Sequence, residues 1–532
     1  MSFTSYIFIA FLAVLFLIYY LVPRKWQWGV LLAASYIFYA FAGWKCLIYI
    51  AATTIMTYVS TYYIGRLYEE QSAYIKAHKA EMSSEEKKAY KKGMDKRRNR
   101  WMVIGLVFLF GMLVVIKYMK FANDTVNAIG GWFGKESLIN LPSIVLPLGI
   151  SFYVFQSAGY VIDVWRKKYA PEKNFFKTAL FVSFFPQLIQ GPISRFDDLT
   201  PTLFGQHPFS SHDFSYGMQR ILWGFFKKMV VADRLLPAVK VLISDNGTYD
   251  GFYVVALMIF YGIQLYADFT GGIDITIGIA QALGIKLEEN FDRPYFSKNI
   301  EEYWRRWHIT MGTWFRDYIF YPLSVCKTML KISKSSREKL GPNIGKRVPV
   351  YIATMLTWLA TGLWHAQYTY WNFIVWGLLN GVIIIISQEF KPLYEKFHEK
   401  CAWSNTRGWD AFMVIRTFFM MGALRLFDCY RDVGATFKQF GTIFYKFNWE
   451  NLFNGSMMKL GITGADYAIA GIGVALMLGV SLLNRRKNVR DRIADKGAWA
   501  QIAVCFALFF AVILLGAYGE GYDASQFIYN QF

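Results

Sequence analysis

FTSYIFIAFLAVLFLIYYLV, residues 3–22, runs for twenty residues without a charge. A helix of about 20 apolar residues crosses the roughly 30 Å hydrocarbon core of a bilayer. Comparable runs recur at 28–41, 46–64, 101–116, 143–164, 252–266, 348–364, 373–387, 465–483 and 499–517. Hydrophobic residues make up 55% of the 532 and charged residues 18%, clustered between the runs. The chain therefore reads as an all-α polytopic membrane protein. The first run does not read as a cleavable signal: nothing basic precedes it, Arg24 and Lys25 follow it, and no small-residue cleavage site is evident.

There are 57 Lys and Arg against 37 Asp and Glu, a net charge of +20. Most of the excess sits in short loops beside the runs: 66–100 holds eleven Lys and Arg, and 166–168, 346–347 and 485–487 are further knots. The positive-inside rule places these in the cytoplasm. Both termini are then expected outside, and the charge marks orientation rather than nucleic-acid binding. The whole of 1–532 reads as one integral-membrane domain, with 66–100 a basic cytoplasmic insertion and 518–532 an extracellular tail. The cysteines (46, 326, 401, 429 and 505) form no CxxC pair and read as reduced fillers.

Ionisable or broken-backbone residues inside apolar surroundings are costly, and each is a functional candidate. They gather in FFPQLIQGPISRF (184–196), in YADFTGGIDITIG (266–278) running on to ENFDRPYF (289–296), and in EEYWRRWHITMGTWFRDYIFYPL (301–323). The first, with Gln187, Gln190 and two prolines, suggests re-entrant helices around a buried polar path. In the third, helical spacing puts Trp304, His308, Met311 and Phe315 on one face, with Arg305, Arg306 and Arg316 elsewhere. Such a helix also suits an interfacial role with Trp anchors, and His308 suits a hydrogen-bonded histidine in a crowded bundle. His365 follows an apolar run in TGLWHAQYTYWNFIVWGLLNG (361–381).

No P-loop, HExxH, paired Cys/His zinc spacing or GxSxG elbow occurs. Histidine remains, a fitting base for a hydroxyl because its unperturbed pKa lies near 6.5. A hydroxyl attacking an acyl thioester needs a base, orientation and help for the oxyanion, but neither metal nor ATP.

At these residues the sequence resembles the membrane-bound O-acyltransferase (MBOAT) family, and within it the bacterial alginate O-acetyltransferase branch. The likeness is strongest from 184 to 377. It implies a bundle of about 11 transmembrane helices, with re-entrant and interfacial helices around a central channel. It also implies His365 as the main histidine and His308 as the second. Asp274, Asn290, Arg305, Arg306, Trp304, Trp364, Gln190 and Asn380 become candidates for the channel and substrate contacts, with Asn380 and Asn372 considered for the oxyanion. Two departures stand out. The usual WHG reads Trp364-His365-Ala366, and the usual FSGYSD-like segment reads FTGGID (269–274).

The chain ends in FIYNQF (527–532). An aromatic interface anchor accounts for this tail. It also resembles the Phe-x-Tyr-x-x-Phe motif of envelope acylation systems, which implies that Tyr529 carries the acyl group transiently. The expected activity is acyl transfer, acetyl in particular, from a cytoplasmic thioester such as acetyl-CoA to an extracellular polysaccharide. The setting is a bacterial cytoplasmic membrane, among membrane lipids, with an extracellular SGNH-type transferase as partner and no bound cofactor or metal. D-alanyl transfer to teichoic acid is the alternative within the family. A lipid-linked sugar transporter or flippase is the alternative outside it.

Overall fold

The computed structural model describes residues 3–132, 147–366 and 371–518. Among them the secondary structure is helical, with one isolated antiparallel bridge, Phe291 to Trp307. Six helices are long and apolar enough to cross a membrane: Cys46–Ala77, Ser84–Met119, Phe252–Ala282, Asn372–Lys400, Gly464–Leu483 and Ala498–Leu515. Tyr6–Leu21 is a shorter apolar helix. Two other expected spans are no longer than that. Gln27–Ala40 and Ile150–Trp165 have 14 and 16 residues, about 21 and 24 Å at 1.5 Å per residue. The expected eleven crossings are thus six by length and composition among the described residues.

The chain forms two compact units, Met1–Met218 with Thr276–Glu288, and Gln219–Ile275 with Glu289–Phe532. In the first, Phe3, Phe8, Phe11, Phe38 and Phe185 pack ring against ring at 4.9–6.5 Å. The basic 66–100 segment forms the polar ends of two long helices, Cys46–Ala77 and Ser84–Trp132. Gly105 permits their close approach, since a Cβ there would stand 2.6 Å from Ser60 Oγ. The polar ends hold each other through Arg97 and Glu70 at 3.1 Å, and through the buried Arg98, whose guanidinium lies 4.0 Å from the Tyr68 ring. Thr53, Thr54, Thr57 and Thr61 return their hydroxyls to carbonyls one turn back, so buried polar groups are satisfied within the helix.

The 184–196 stretch is broken, as expected. Helix Phe175–Ser183 stops at Phe184 (φ −52°, ψ 104°), a short helix follows over Phe185–Gln190, and the chain is extended from Gly191. Gln187 Nε2 donates to the Pro192 carbonyl at 2.7 Å and to Ser194 Oγ at 2.5 Å, which ties the broken backbone together.

The second unit has its own core of Val231, Val254, Leu257, Ala267, Leu426, Leu460 and neighbours. A π-helical turn, Phe226–Ala232, buries Lys228 against Asp233 at 2.7 Å and Asp268 at 2.5 Å. Breaking one member of such a cluster leaves an uncompensated buried charge, at a cost of about 3–5 kcal/mol.

Candidate active site

His308 is placed by backbone pairing rather than by a continuous helix. Helix Ile300–Arg306 ends at Trp307, and His308 adopts a left-handed conformation (φ 49°, ψ 54°) before helix Ile309–Phe315 begins. The expected single helix with 304, 308, 311 and 315 on one face is therefore broken in its middle. Extended segment 290–292 makes the break possible: Asp292 N–H donates to the Arg306 carbonyl at 3.0 Å and Ile309 N–H to the Asn290 carbonyl at 2.9 Å. Non-glycine residues at positive φ are uncommon and concentrate where surrounding structure dictates the conformation.

Asn290, fully buried, supplies that dictation. Its Oδ1 accepts from the Thr310 backbone N–H at 3.0 Å, from Thr310 Oγ1 at 3.0 Å and lies 3.2 Å from His308 Nδ1. A backbone N–H only donates, so this atom is the amide oxygen. His308 Nδ1 therefore carries the ring proton and Nε2 the lone pair. His308 lies outside the six spanning helices, and burial pushes its pKa down to about 3. The ring is neutral at physiological pH.

His365 is the last residue of helix Val348–His365. That helix crosses Asn372–Lys400 at contact distance. A Cβ on Gly362 would lie 2.5 Å from the Phe373 carbonyl oxygen, and one on Gly377 2.5 Å from that of Trp358. Small residues at such crossings let helix backbones touch. The half-buried His365 ring stacks on Phe373 at 5.9 Å and meets Trp376 edge-on at 5.2 Å. Trp364 stands edge-on to both imidazoles, 4.6 Å from His365 and 6.2 Å from His308. Ala366 follows at φ −61°, ψ 132°, backbone that any residue adopts, so alanine in place of the usual glycine costs no conformational freedom here.

Both histidines line one cavity of about 70 Å³ in the second unit. Its walls are aromatic and thioether side chains, among them Trp304, Trp307, Trp376, Phe373, Met311 and Met421, with Arg425 and Asp428 as the charged groups. Trp304 is held by its indole N–H, which donates to Asn380 Oδ1 at 3.0 Å. Asn380 in turn gives its amide N–H to the Trp376 carbonyl at 2.8 Å. Asn380 thus holds two walls of the cavity and is not among the residues that line it, contrary to its expected place at the oxyanion. Asn372 likewise donates elsewhere, to the Phe427 carbonyl at 2.8 Å.

Asp274 lines a different and larger cavity of about 640 Å³. Its carboxylate takes Arg220 Nε at 2.9 Å and Lys227 Nζ at 2.6 Å, and Arg220 also grips Glu289 with both terminal nitrogens at 2.6 Å. The glycine of FTGGID explains the setting: a Cβ on Gly271 would lie 2.9 Å from the Gly224 carbonyl oxygen. Close approach of the two helices brings Asp274 within reach of its cations.

The remaining candidates separate. Arg305 is exposed, and Arg306 pairs with Glu302 at 2.7 Å; neither lines the histidine cavity. Successive helical positions are turned by about 100°, so with Tyr303 and Trp304 facing the cavity the next two residues turn away. Gln190 is fully buried in the first unit. Tyr529 lies outside the described residues. Arg425, Asp428, Tyr303, Trp307, Phe373 and Trp376 line the cavity without having been singled out from the sequence. The signal was present for two of them: Arg425 and Asp428 interrupt the apolar stretch FFMMGALRLFDCY, 418–430.

Comparison with known proteins assigns the class. Residues 171–337 match the model of the MBOAT, membrane-bound O-acyltransferase family, a segment that includes His308. The chain is 32% identical over 506 residues to the probable alginate O-acetylase AlgI of Pseudomonas syringae pv. tomato, across 94% of this chain and 85% of that protein. It is 36% identical over 394 residues to the protein of the same name from Azotobacter vinelandii, across 74% and 69%. The peptidoglycan O-acetyltransferase of Helicobacter pylori is 29% identical over 424 residues, across 73% and 70%. The chain belongs to the MBOAT family. It is a multi-pass membrane enzyme, an O-acyltransferase.

Proposed function

We propose that the enzyme takes an acetyl group from acetyl-CoA on the cytoplasmic side of a bacterial membrane and delivers it for O-acetylation of an extracellular cell-envelope polymer or exopolysaccharide. The observation that carries this reading is the shared cavity of about 70 Å³ with both imidazoles on its wall. That space, with imidazoles on its wall, accommodates a small acyl group beside the two bases. The names of the relatives, alginate and peptidoglycan acetylating proteins, support the same chemistry.

In the proposed reaction His365 accepts the proton of the attacking hydroxyl. The oxygen bonds to the thioester carbonyl carbon, and the C=O electron pair moves onto oxygen. Collapse restores C=O, breaks the C–S bond, and the proton leaves with the thiolate. His308, neutral and fixed by Asn290, offers its Nε2 lone pair to orient the acceptor hydroxyl. The acceptor in this reading is the phenol of Tyr529. Its pKa of about 10 makes a base useful. An extracellular SGNH-type transferase then carries the acetyl group to the polymer.

Replacing His365 by alanine is expected to abolish polymer O-acetylation while membrane insertion and thermal stability persist. Normal acetylation in H365A contradicts the role. A D-alanyl rather than acetyl adduct in the product would favour teichoic-acid chemistry instead.

A further inference from the structure

We propose that Arg425 is a catalytic residue that receives the oxyanion of the tetrahedral intermediate. The inference rests on the acyl-transfer reading above and adds the group which that reading left without a protein partner for its charge.

Arg425 lies in helix Arg407–Tyr430, is 7% exposed, and lines the same cavity as His308 and His365. Its guanidinium is held in an aromatic cage, 4.6 Å from the Trp307 ring, 5.1 Å from Tyr295 and 5.6 Å from Tyr303. One terminal nitrogen donates to Tyr295 Oη at 2.5 Å and the other to the hydroxyl of Tyr303. Tyr295 gives its own proton to the Gly262 carbonyl, so its oxygen is committed to accepting from Arg425.

Among the described residues no carboxylate lies within ion-pair distance of this guanidinium. Asp428, one turn along the same helix, accepts from the Tyr261 hydroxyl instead. A buried cation held by neutral groups alone still carries a desolvation cost, which an anion arriving in the site relieves further. Guanidinium carries five N–H donors, and the tyrosines take two of them. The rest of the group faces the cavity that it shares with the two imidazoles.

Fixed donors in a dry site serve transition states well because nothing reorganises when the charge develops. Two tyrosine hydroxyls and three aromatic rings hold Arg425 before any substrate arrives. In the addition step the thioester C=O pair becomes an alkoxide next to the guanidinium. Arg425 stays protonated throughout, and the charge returns to the sulfur when the C–S bond breaks.

The test measures CoA release from acetyl-CoA in vesicles containing the full-length protein, with the SGNH-type transferase and polymer that unload Tyr529. Arg425→Met keeps an unbranched side chain in the cage and removes the charge. The expected result is a fall in kcat of about 10²–10³, the typical loss for one oxyanion donor, with KM for acetyl-CoA changed by less than about threefold. A guanidinium that merely braced the helix would not separate the two constants in this way. Arg425→Lys retains charge in a folded protein should the methionine variant fail to insert. Its ammonium cannot satisfy both tyrosines and the carbonyl oxygen together, so an intermediate fall in kcat is expected. A wild-type kcat in either inserted variant overturns the role of Arg425 alone. A wild-type protein that releases no CoA overturns the acyl-transfer reading and this inference together.

Discussion

At the scale of single residues, Asn290 fixes His308 in position. One amide oxygen fastens the backbone of Thr310, the hydroxyl of Thr310 and the His308 ring, and so sets both the left-handed turn and the tautomer. Asn290→Ala strands a buried backbone N–H and an imidazole N–H, each worth about 1–3 kcal/mol. The expected outcome is a lower melting temperature together with a loss of turnover larger than the loss of acetyl-CoA binding. A variant that melts early yet turns over normally would show that the tautomer is immaterial. Residue identity was only partly legible in the sequence. His308 and His365 stood out because histidine is expensive in apolar surroundings. Arg425 was equally expensive, but it sat in a stretch that did not resemble a known motif. Arg305 and Arg306 misled for the opposite reason: neighbours of Trp304 in sequence, they turn to other faces of the helix.

At the scale of elements, the apolar runs translated directly into helices because length and hydropathy are properties of continuous segments. What the sequence withheld were the interruptions. A helical period continues smoothly through 304, 308, 311 and 315, whereas the chain breaks at Trp307–His308 because segment 290–292 pairs with it. That pairing is non-local and leaves no periodic trace. The crossing of helices Val348–His365 and Asn372–Lys400 was likewise invisible in hydropathy, yet Gly362 and Gly377 mark it. Gly362→Ala places a methyl group 2.5 Å from the Phe373 carbonyl oxygen and 3.3 Å from the Ile374 Cα, so one backbone must yield. Overpacking of this kind costs about 1–3 kcal/mol. It also moves His365 three residues on, and displacements near 1 Å can cost about 10²-fold in rate. Turnover by G362A is expected to fall well beyond what its stability loss explains. Gly111, with nothing within 4 Å, is the control: G111A should leave both unchanged.

At the scale of the whole molecule, the charge distribution is uneven, and the positive-inside rule turns it into a testable orientation. The polar ends of the helices Cys46–Ala77 and Ser84–Trp132 carry the densest run of Lys and Arg. From the positive-inside rule we propose that these ends face the cytoplasm. A cysteine replacing the exposed Lys91 should react with a membrane-impermeant thiol reagent in inside-out vesicles and stay protected in intact cells; the reverse pattern would invert the topology.

The central claim is that His365 and His308, facing one small cavity, move an acetyl group from a thioester. Its most direct test is mass spectrometry after incubation of membranes with isotopically labelled acetyl-CoA, comparing wild-type protein with His365→Gln. The account predicts label in the wild-type chain or its polymer product, and none in the variant at equal protein levels. Equal labelling of the two would contradict it.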